Sequence, residues 1–360
     1  MLIELPLGKI GFIENKIQKN KPDKIMTISR RALSIHFIDF FLITLACLIY
    51  YLSIDYIGSK ITLSSFRGDA SYYYVKITKG EWNDIYPFEP LLGAICFPYN
   101  NLDFTEYLIV SNLPLFALSI ISAKMLGVSG IRLVSVMVLL SFSYFGLHLL
   151  FNFQRQFISL SLLLFGMAVA GKLRLLSLAL SPMGHIWAVV PAILIWVEPF
   201  LKKKIVKTII AALLLILLIA LSILGGSEFS TKAATYSAYG DEDPMRLIIR
   251  SGVQLGFIGS LVFISGGFKR LEKRLKNQLI AYMIIMTISA VAPTISALFV
   301  RFDYYFYPIL IIRIFVHLGR TDIKIWRPIV ASVFVLAYSV ASGIQWVNSI
   351  SSWIFYGIMY

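Results

Sequence analysis

Asn152-Phe153-Gln154-Arg155-Gln156 stands between two strongly apolar runs, 131–151 and 157–171. The five residues include no Gly, Pro, Ser or Asp, so they do not read as an ordinary loop. Four of the side chains can hydrogen-bond, and one of those is a permanent cation. An arginine flanked by two apolar segments is costly unless it faces water, a polar partner or an anion. The stretch therefore raises the question on which the rest of the chain turns: which anion Arg155 meets, and which residues join it.

The chain of 360 residues is 58% hydrophobic, with a mean hydropathy of +0.79. A soluble protein of this size has no way to hide so much apolar surface. Repeated apolar stretches of about 20 residues read instead as membrane-spanning helices. The formal net charge of +14 sits mainly at the ends of those stretches, as the positive-inside rule expects. That distribution excludes the basic stripe of a nucleic-acid partner. Cys47 and Cys96 are the two cysteines, and their isolation supports neither a zinc site nor a disulfide framework. The mostly polar, basic residues 1–35 are not followed by a small-residue cleavage site, so they do not form a secretory signal.

These features predict an all-α, polytopic integral membrane protein with about 9–11 transmembrane helices plus re-entrant or short broken helices. Residues 1–35 form a basic cytoplasmic tail, and 36–350 form one transmembrane domain. Spans are expected at about 36–57, 105–126, 131–151, 156–171, 205–225, 247–267, 277–299, 303–318 and 328–348. Two outer loops, 58–104 and 226–246, interrupt them, the first carrying a semi-apolar piece near 87–98 that is too short to span. With the N-terminus cytoplasmic, residues 152–156 face outward and Lys172 and Arg174 face inward. Counting back from the basic turn 268–276 also puts Lys202, Lys203 and Lys204 inside. Residues 173–201 must then enter and leave on one face, as two short helices broken at Ser181-Pro182-Met183-Gly184, with His185 near the tip.

On this topology Asp69, Glu89, Arg155, Gln156, His185, Arg301, Asp303, Tyr304 and Tyr305 converge on the outer side from five chain regions. Each has a plain structural reading. Arg155 can snorkel to headgroups, and Arg301 can pair with Asp303 or join an aromatic belt. His185 can be a hydrogen-bonded core residue, Asp69 can sit in a solvated loop, and Glu89 can serve the N-terminus of the short helix after Pro90. Each also has a functional one. A guanidinium clamps phosphate oxygens bidentately, and two arginines from distant segments suit a diphosphate. A histidine with an ordinary pKa near 6.5 suits a general base. If the helix continues back through 148, then His148, Asn152, Arg155 and Ser159 share one face. Tyr72 and Tyr73 offer faces for sugar stacking. No HxxxH or HExxH spacing points to a metal.

Taken in order, Asp69 with Tyr72 and Tyr73, Glu89-Pro90, Arg155-Gln156, His185, and Arg301 with Tyr305 resemble the EpsG-like branch of the Wzy-type bacterial polysaccharide polymerases. The likeness runs from about residue 39 to 320. It implies a GT-C-like glycosyltransferase of the inner membrane, its active site facing the outer side. Such an enzyme polymerises undecaprenyl-diphosphate-linked oligosaccharide repeat units for an O-antigen, a capsule or an exopolysaccharide, without a metal or other cofactor. Carried over, Arg155 and Arg301 hold the donor diphosphate, and His185, Asp69 or Glu89 activates the acceptor hydroxyl. Gln156, Tyr72, Tyr73, Tyr305, Asn152 and His148 are then candidate substrate contacts. The lipid bilayer and a chain-length regulator protein are the implied partners. A flippase of lipid-linked glycans, or another membrane transferase using a monophosphate sugar or an acyl donor, would show a similar cationic cavity. The expected topology has a direct test: a cysteine placed near Lys202 should label from the cytoplasmic face, and labelling from the outer face would reject the same-face hairpin.

Overall fold

A computed structural model describes residues 37–58, 69–79, 90–96, 101–151, 154–197, 244–273, 275–280, 282–283, 293–320 and 323–356. Among the described residues all regular structure is helical. We number the helices α1 (Phe37–Gly58), α2 (Asp69–Thr78), α3 (Pro90–Cys96), α4 (Phe104–Met125), α5 (Ile131–Phe142), α6 (Tyr144–Phe151), α7 (Gln154–Ala168), α8 (Gly171–Gly184), α9 (Val189–Val197), α10 (Pro244–Ile264), α11 (Pro293–Leu318) and α12 (Trp326–Tyr356). Three of them, α1, α4 and α12, are long and apolar enough to cross a bilayer, and α5 with α6 makes a fourth if the bent pair counts as one span. The larger number of spans read from the sequence includes 205–225, which lies outside the described residues, as does much of 277–299 and the loop 226–246.

Local chemistry explains where these helices begin and bend. Asp103 caps α4: its carboxylate accepts from Glu106 N at 2.8 Å, and Glu106 Oε2 accepts from Asp103 N at 3.1 Å, a reciprocal capping box. The expected single span 131–151 is bent by 50° between α5 and α6. Ser143 makes the bend, since its backbone is extended (φ −75°, ψ 162°) and its hydroxyl accepts from Gly146 N at 3.0 Å. Gly146 allows the turn to close, because a methyl group there would lie 2.4 Å from Leu140 O. The loop expected over 58–104 carries two helices. α3 matches the short piece near 87–98, whereas α2 has no counterpart in the apolar pattern.

Packing follows small and hydroxylic residues, as in helices that meet within lipid. α4 and α7 run parallel, joined by Tyr107–Gln154, Ser111–Gln154 and Ser119–Ser161 contacts. α8 returns antiparallel along α7, with Ser159 donating to Ser181 O and Ser177 donating to Leu162 O, both at 2.7 Å. α9 then doubles back, and Arg174 Nη2 near the start of α8 donates to Ile195 O near the end of α9 at 2.7 Å. Residues 173–197 thus form a hairpin whose two arms return to the same end. Its break falls at His185 rather than across Ser181–Gly184, which complete the last turn of α8. Ser181 O accepts both the Ser159 hydroxyl at 2.7 Å and His185 N at 3.5 Å, so the last turn of α8 is tied to α7 up to the break.

At the opposite end from the hairpin tip, Lys124 pairs with Asp39, and Arg132 Nη1 donates to Phe315 O at 2.6 Å, tying α1, α4, α5 and α11 together. The face of α1 that carries Phe40, Phe41, Leu48, Ile49 and Leu52 is exposed, as a lipid-facing helix requires. By contrast every residue of α11 from Tyr304 to Ile312 is buried, so α11 is the central helix. α12 lies parallel to α5 in close contact, because a methyl at Gly343 would sit 1.7 Å from Phe142 O. Gly343→Ala should therefore lower the thermal unfolding midpoint in detergent, by about 1–3 kcal/mol or more of overpacking. Gly252→Ala, where nothing lies within 4 Å, should be neutral or slightly stabilising.

Candidate active site

A helix turns about 100° per residue, so the three consecutive residues that open α7 face three different neighbours. All three are buried. Gln154 faces α4, where Tyr107 Oη donates to its Oε1 at 2.8 Å and its Nε2 donates to Ser111 Oγ at 2.7 Å. Arg155 faces α2, its guanidinium carbon 5.6 Å from the centre of the Tyr73 ring, a cation–π contact with a fully buried aromatic. Gln156 faces the hairpin tip, its Nε2 lying 3.5 Å from His185 Nε2.

His185 stands where it does because α7 and α8 approach closely. A methyl at Gly184 would lie 2.8 Å from both Ile158 Cγ2 and Ser159 Oγ, and one at Gly166 would lie 2.8 Å from Leu178 Cδ2. The backbone then extends at His185 (φ −158°, ψ 122°), and Ala188 N donates to its carbonyl at 2.9 Å to start a short 3-10 turn. This swings the imidazole toward the central helix, where Tyr305 Oη sits 2.9 Å from His185 Nδ1. Gln156, His185 and Tyr305 are each at most 1% exposed.

α2 is anchored beside this cluster. Tyr74 Oη donates to Leu102 O at 2.8 Å, and the Tyr74 ring packs 5.4 Å from both Phe104 and Tyr107. Burial, then the carboxylates of Asp103 and Glu106, push the Tyr74 phenol above its ordinary pKa.

Of the residues singled out in the sequence, the structure brings together Gln156, His185 and Tyr305, with Arg155 and Tyr73 adjoining through α7. His148 lies elsewhere, in an aromatic cluster with its ring centre 4.3 Å from Tyr144, 5.9 Å from Trp346 and 6.5 Å from Tyr304. The expected stripe through His148, Arg155 and Ser159 therefore divides. His148 meets α11 and α12, Arg155 meets α2, and Ser159 meets α8. Asp69 and Tyr72 open α2 and Arg301 lies in α11, each described by its backbone alone. Glu89 and Asn152 lie outside the described residues. Among the described residues no three His, Cys, Asp or Glu side chains gather as a metal site would need. The residues missed from the sequence are Tyr107 and Ser111, whose spacing of four along α4, continued at Ser119, marks a polar stripe inside an apolar span.

A model of the EpsG family matches residues 35–358 of the chain. No curated protein and no solved structure matches it. Gln154→Leu should test the frame behind the site. It removes the acceptor used by the buried Tyr107 hydroxyl, and should destabilise the fold by about 1–3 kcal/mol, read as a lowered thermal midpoint. An unchanged midpoint would show that the α4–α7 contact contributes nothing.

Proposed function

The chain belongs to the EpsG family, and from that premise, together with the buried Gln156–His185–Tyr305 cluster adjoining Arg155, we propose that it is a polysaccharide polymerase of the bacterial inner membrane. The family supports a membrane role of polysaccharide-polymerase or glycosyltransferase-like kind. The finer reading is a GT-C-like glycosyltransferase that joins undecaprenyl-diphosphate-linked oligosaccharide units on the outer side, with a chain-length regulator as partner.

The chemistry asks for two things, and the proposal assigns residues to each. The leaving group is a lipid diphosphate, and its developing negative charge needs fixed cations. Arg155 is one. Arg301 is the other, four residues and so about one helical turn before Tyr305 on α11. The acceptor is a sugar hydroxyl, a weak nucleophile unless a base takes its proton as the bond forms. We assign that role to His185, whose ring is held by side chains from two other helices. In the proposed step the acceptor hydroxyl gives its proton to His185 Nε2 and its oxygen attacks the anomeric carbon of the donor chain. The carbon–oxygen bond to the diphosphate breaks, and the electron pair leaves with the lipid diphosphate, which the two arginines stabilise. Tyr72 and Tyr73 on α2 and Asn152 are the candidate sugar contacts.

The observation that carries this reading is the buried 2.9 Å Tyr305–His185 hydrogen bond, with Arg155 next to its other neighbour Gln156 on α7. Reconstitution with a lipid-linked repeat unit tests it. A ladder of product lengths is expected, whereas a unit moved unchanged between leaflets would reject the enzyme reading in favour of a flippase. His185→Ala should lower the rate by roughly 10²–10⁴-fold. Arg155→Lys should also fail, because a point charge does not replace a bidentate fork. Equal defects from Arg155→Ala and Arg301→Ala would favour a diphosphate over a monophosphate donor.

A further inference from the structure

We propose that Tyr305 and Gln156 are positioning residues that fix the tautomer of His185, holding its proton on Nδ1 and leaving the Nε2 lone pair to act as the base. The inference rests on the reading of His185 as that base and adds how the ring is set.

The argument begins with what each neighbour can offer. The Gln156 amide presents its Nε2 to His185 Nε2 at 3.5 Å. An amide NH₂ only donates, so the ring nitrogen facing it accepts. A neutral imidazole carries one N–H, which is then on Nδ1, and Tyr305 Oη at 2.9 Å accepts it. The Gln156 Oε1 atom is buried with no hydrogen-bond partner. Turning the amide over would bring Oε1 to the ring, but would satisfy it only if Nε2 carried the proton, which is the tautomer that cannot act as a base there. Amide orientation and ring tautomer are therefore coupled.

The two contacts also differ in strength in the useful direction. The Tyr305 bond is of normal length, whereas the Gln156 contact is longer than a good hydrogen bond. An incoming hydroxyl can displace Gln156 from Nε2 at little cost while Tyr305 keeps the ring in place. After proton transfer the ring is an imidazolium with two donors. Nδ1–H keeps Tyr305, and Nε2–H acquires an acceptor once the amide turns its Oε1 inward. The oxygen that lacks a partner in the resting arrangement gains one after the step, so Gln156 changes from donor to acceptor as the proton moves.

Histidine-selective ¹⁵N labelling makes the tautomer observable, since the chain holds only His36, His148, His185 and His317. Solid-state NMR of the whole protein in lipid, with the His185 signals assigned by their loss in His185→Gln, should show neutral His185 protonated on Nδ1. Tyr305→Phe, which removes only the hydroxyl, should move the proton to Nε2 or mix the two forms. In polymerisation assays the same variant should lower kcat roughly tenfold, the rate equivalent of one hydrogen bond, with KM unchanged. Protonation on Nε2 in the wild-type chain would overturn the proposal, and that measurement does not depend on Tyr305→Phe folding. An unchanged tautomer in Tyr305→Phe, or a defect confined to KM, would also overturn it. The NMR arm uses no substrate, so failure of the polymerase reading and failure of the tautomer assignment give separate results.

Discussion

The hydroxyl of Ser159 donating to the Ser181 carbonyl, with Gly184 pressed against Ile158 and Ser159, sets the separation and register of α7 and α8. Within lipid no hydrophobic drive brings two apolar helices together, so close packing and interhelical hydrogen bonds must do so. This contact has both. It also ties the last turn of α8 to α7 just before the backbone extends at His185. Three residues before Ser159 on α7 is Gln156, nearly one turn away. The register that satisfies Ser181 is thus the register that sets Gln156 opposite the imidazole. A wider approach would break the site without touching any of its polar atoms.

The other faces of α7 explain how a buried cation is held there. Gln154 locks the first turn to α4 through two buried hydrogen bonds, and Ser161 repeats the attachment lower down at Ser119. With both flanks fixed, Arg155 has one direction left, toward the Tyr73 ring on α2. An aromatic face offers a guanidinium an attraction of its own, and burial shelters the charge there.

Much of this was legible in the sequence, and the gaps have physical reasons. The all-helical membrane character follows from apolar runs alone. The hairpin of residues 173–197 was readable because the charges at Lys172, Arg174 and Lys202–Lys204 left no consistent single crossing. Placing its break a few residues early reflects the usual weight given to proline. Pro182 sits inside the last turn of α8, and the helix runs on through it to Gly184. The bend at Ser143 was not readable, since it depends on Gly146 meeting the Leu140 carbonyl. The helical state of Asp69–Thr78 was hidden for a similar reason, because it rests on the burial of Tyr73 and on Tyr74 packing against Phe104 and Tyr107 of α4 rather than on a span pattern. Pairing of Gln156 and Tyr305 with His185 required three helices to meet, and no spacing within one helix encodes that.

The stretch Asn152–Gln156 can now be weighed between its two readings. An arginine that anchors a helix by snorkelling keeps its guanidinium at the surface, among headgroups and water. Arg155 is only 7% exposed and lies against a tyrosine that is fully buried. It also occupies the first turn of α7, the positive end of the helix dipole. A cation there is disfavoured by its own helix. On the proposed reading, the anionic donor meets both Arg155 and this helix end.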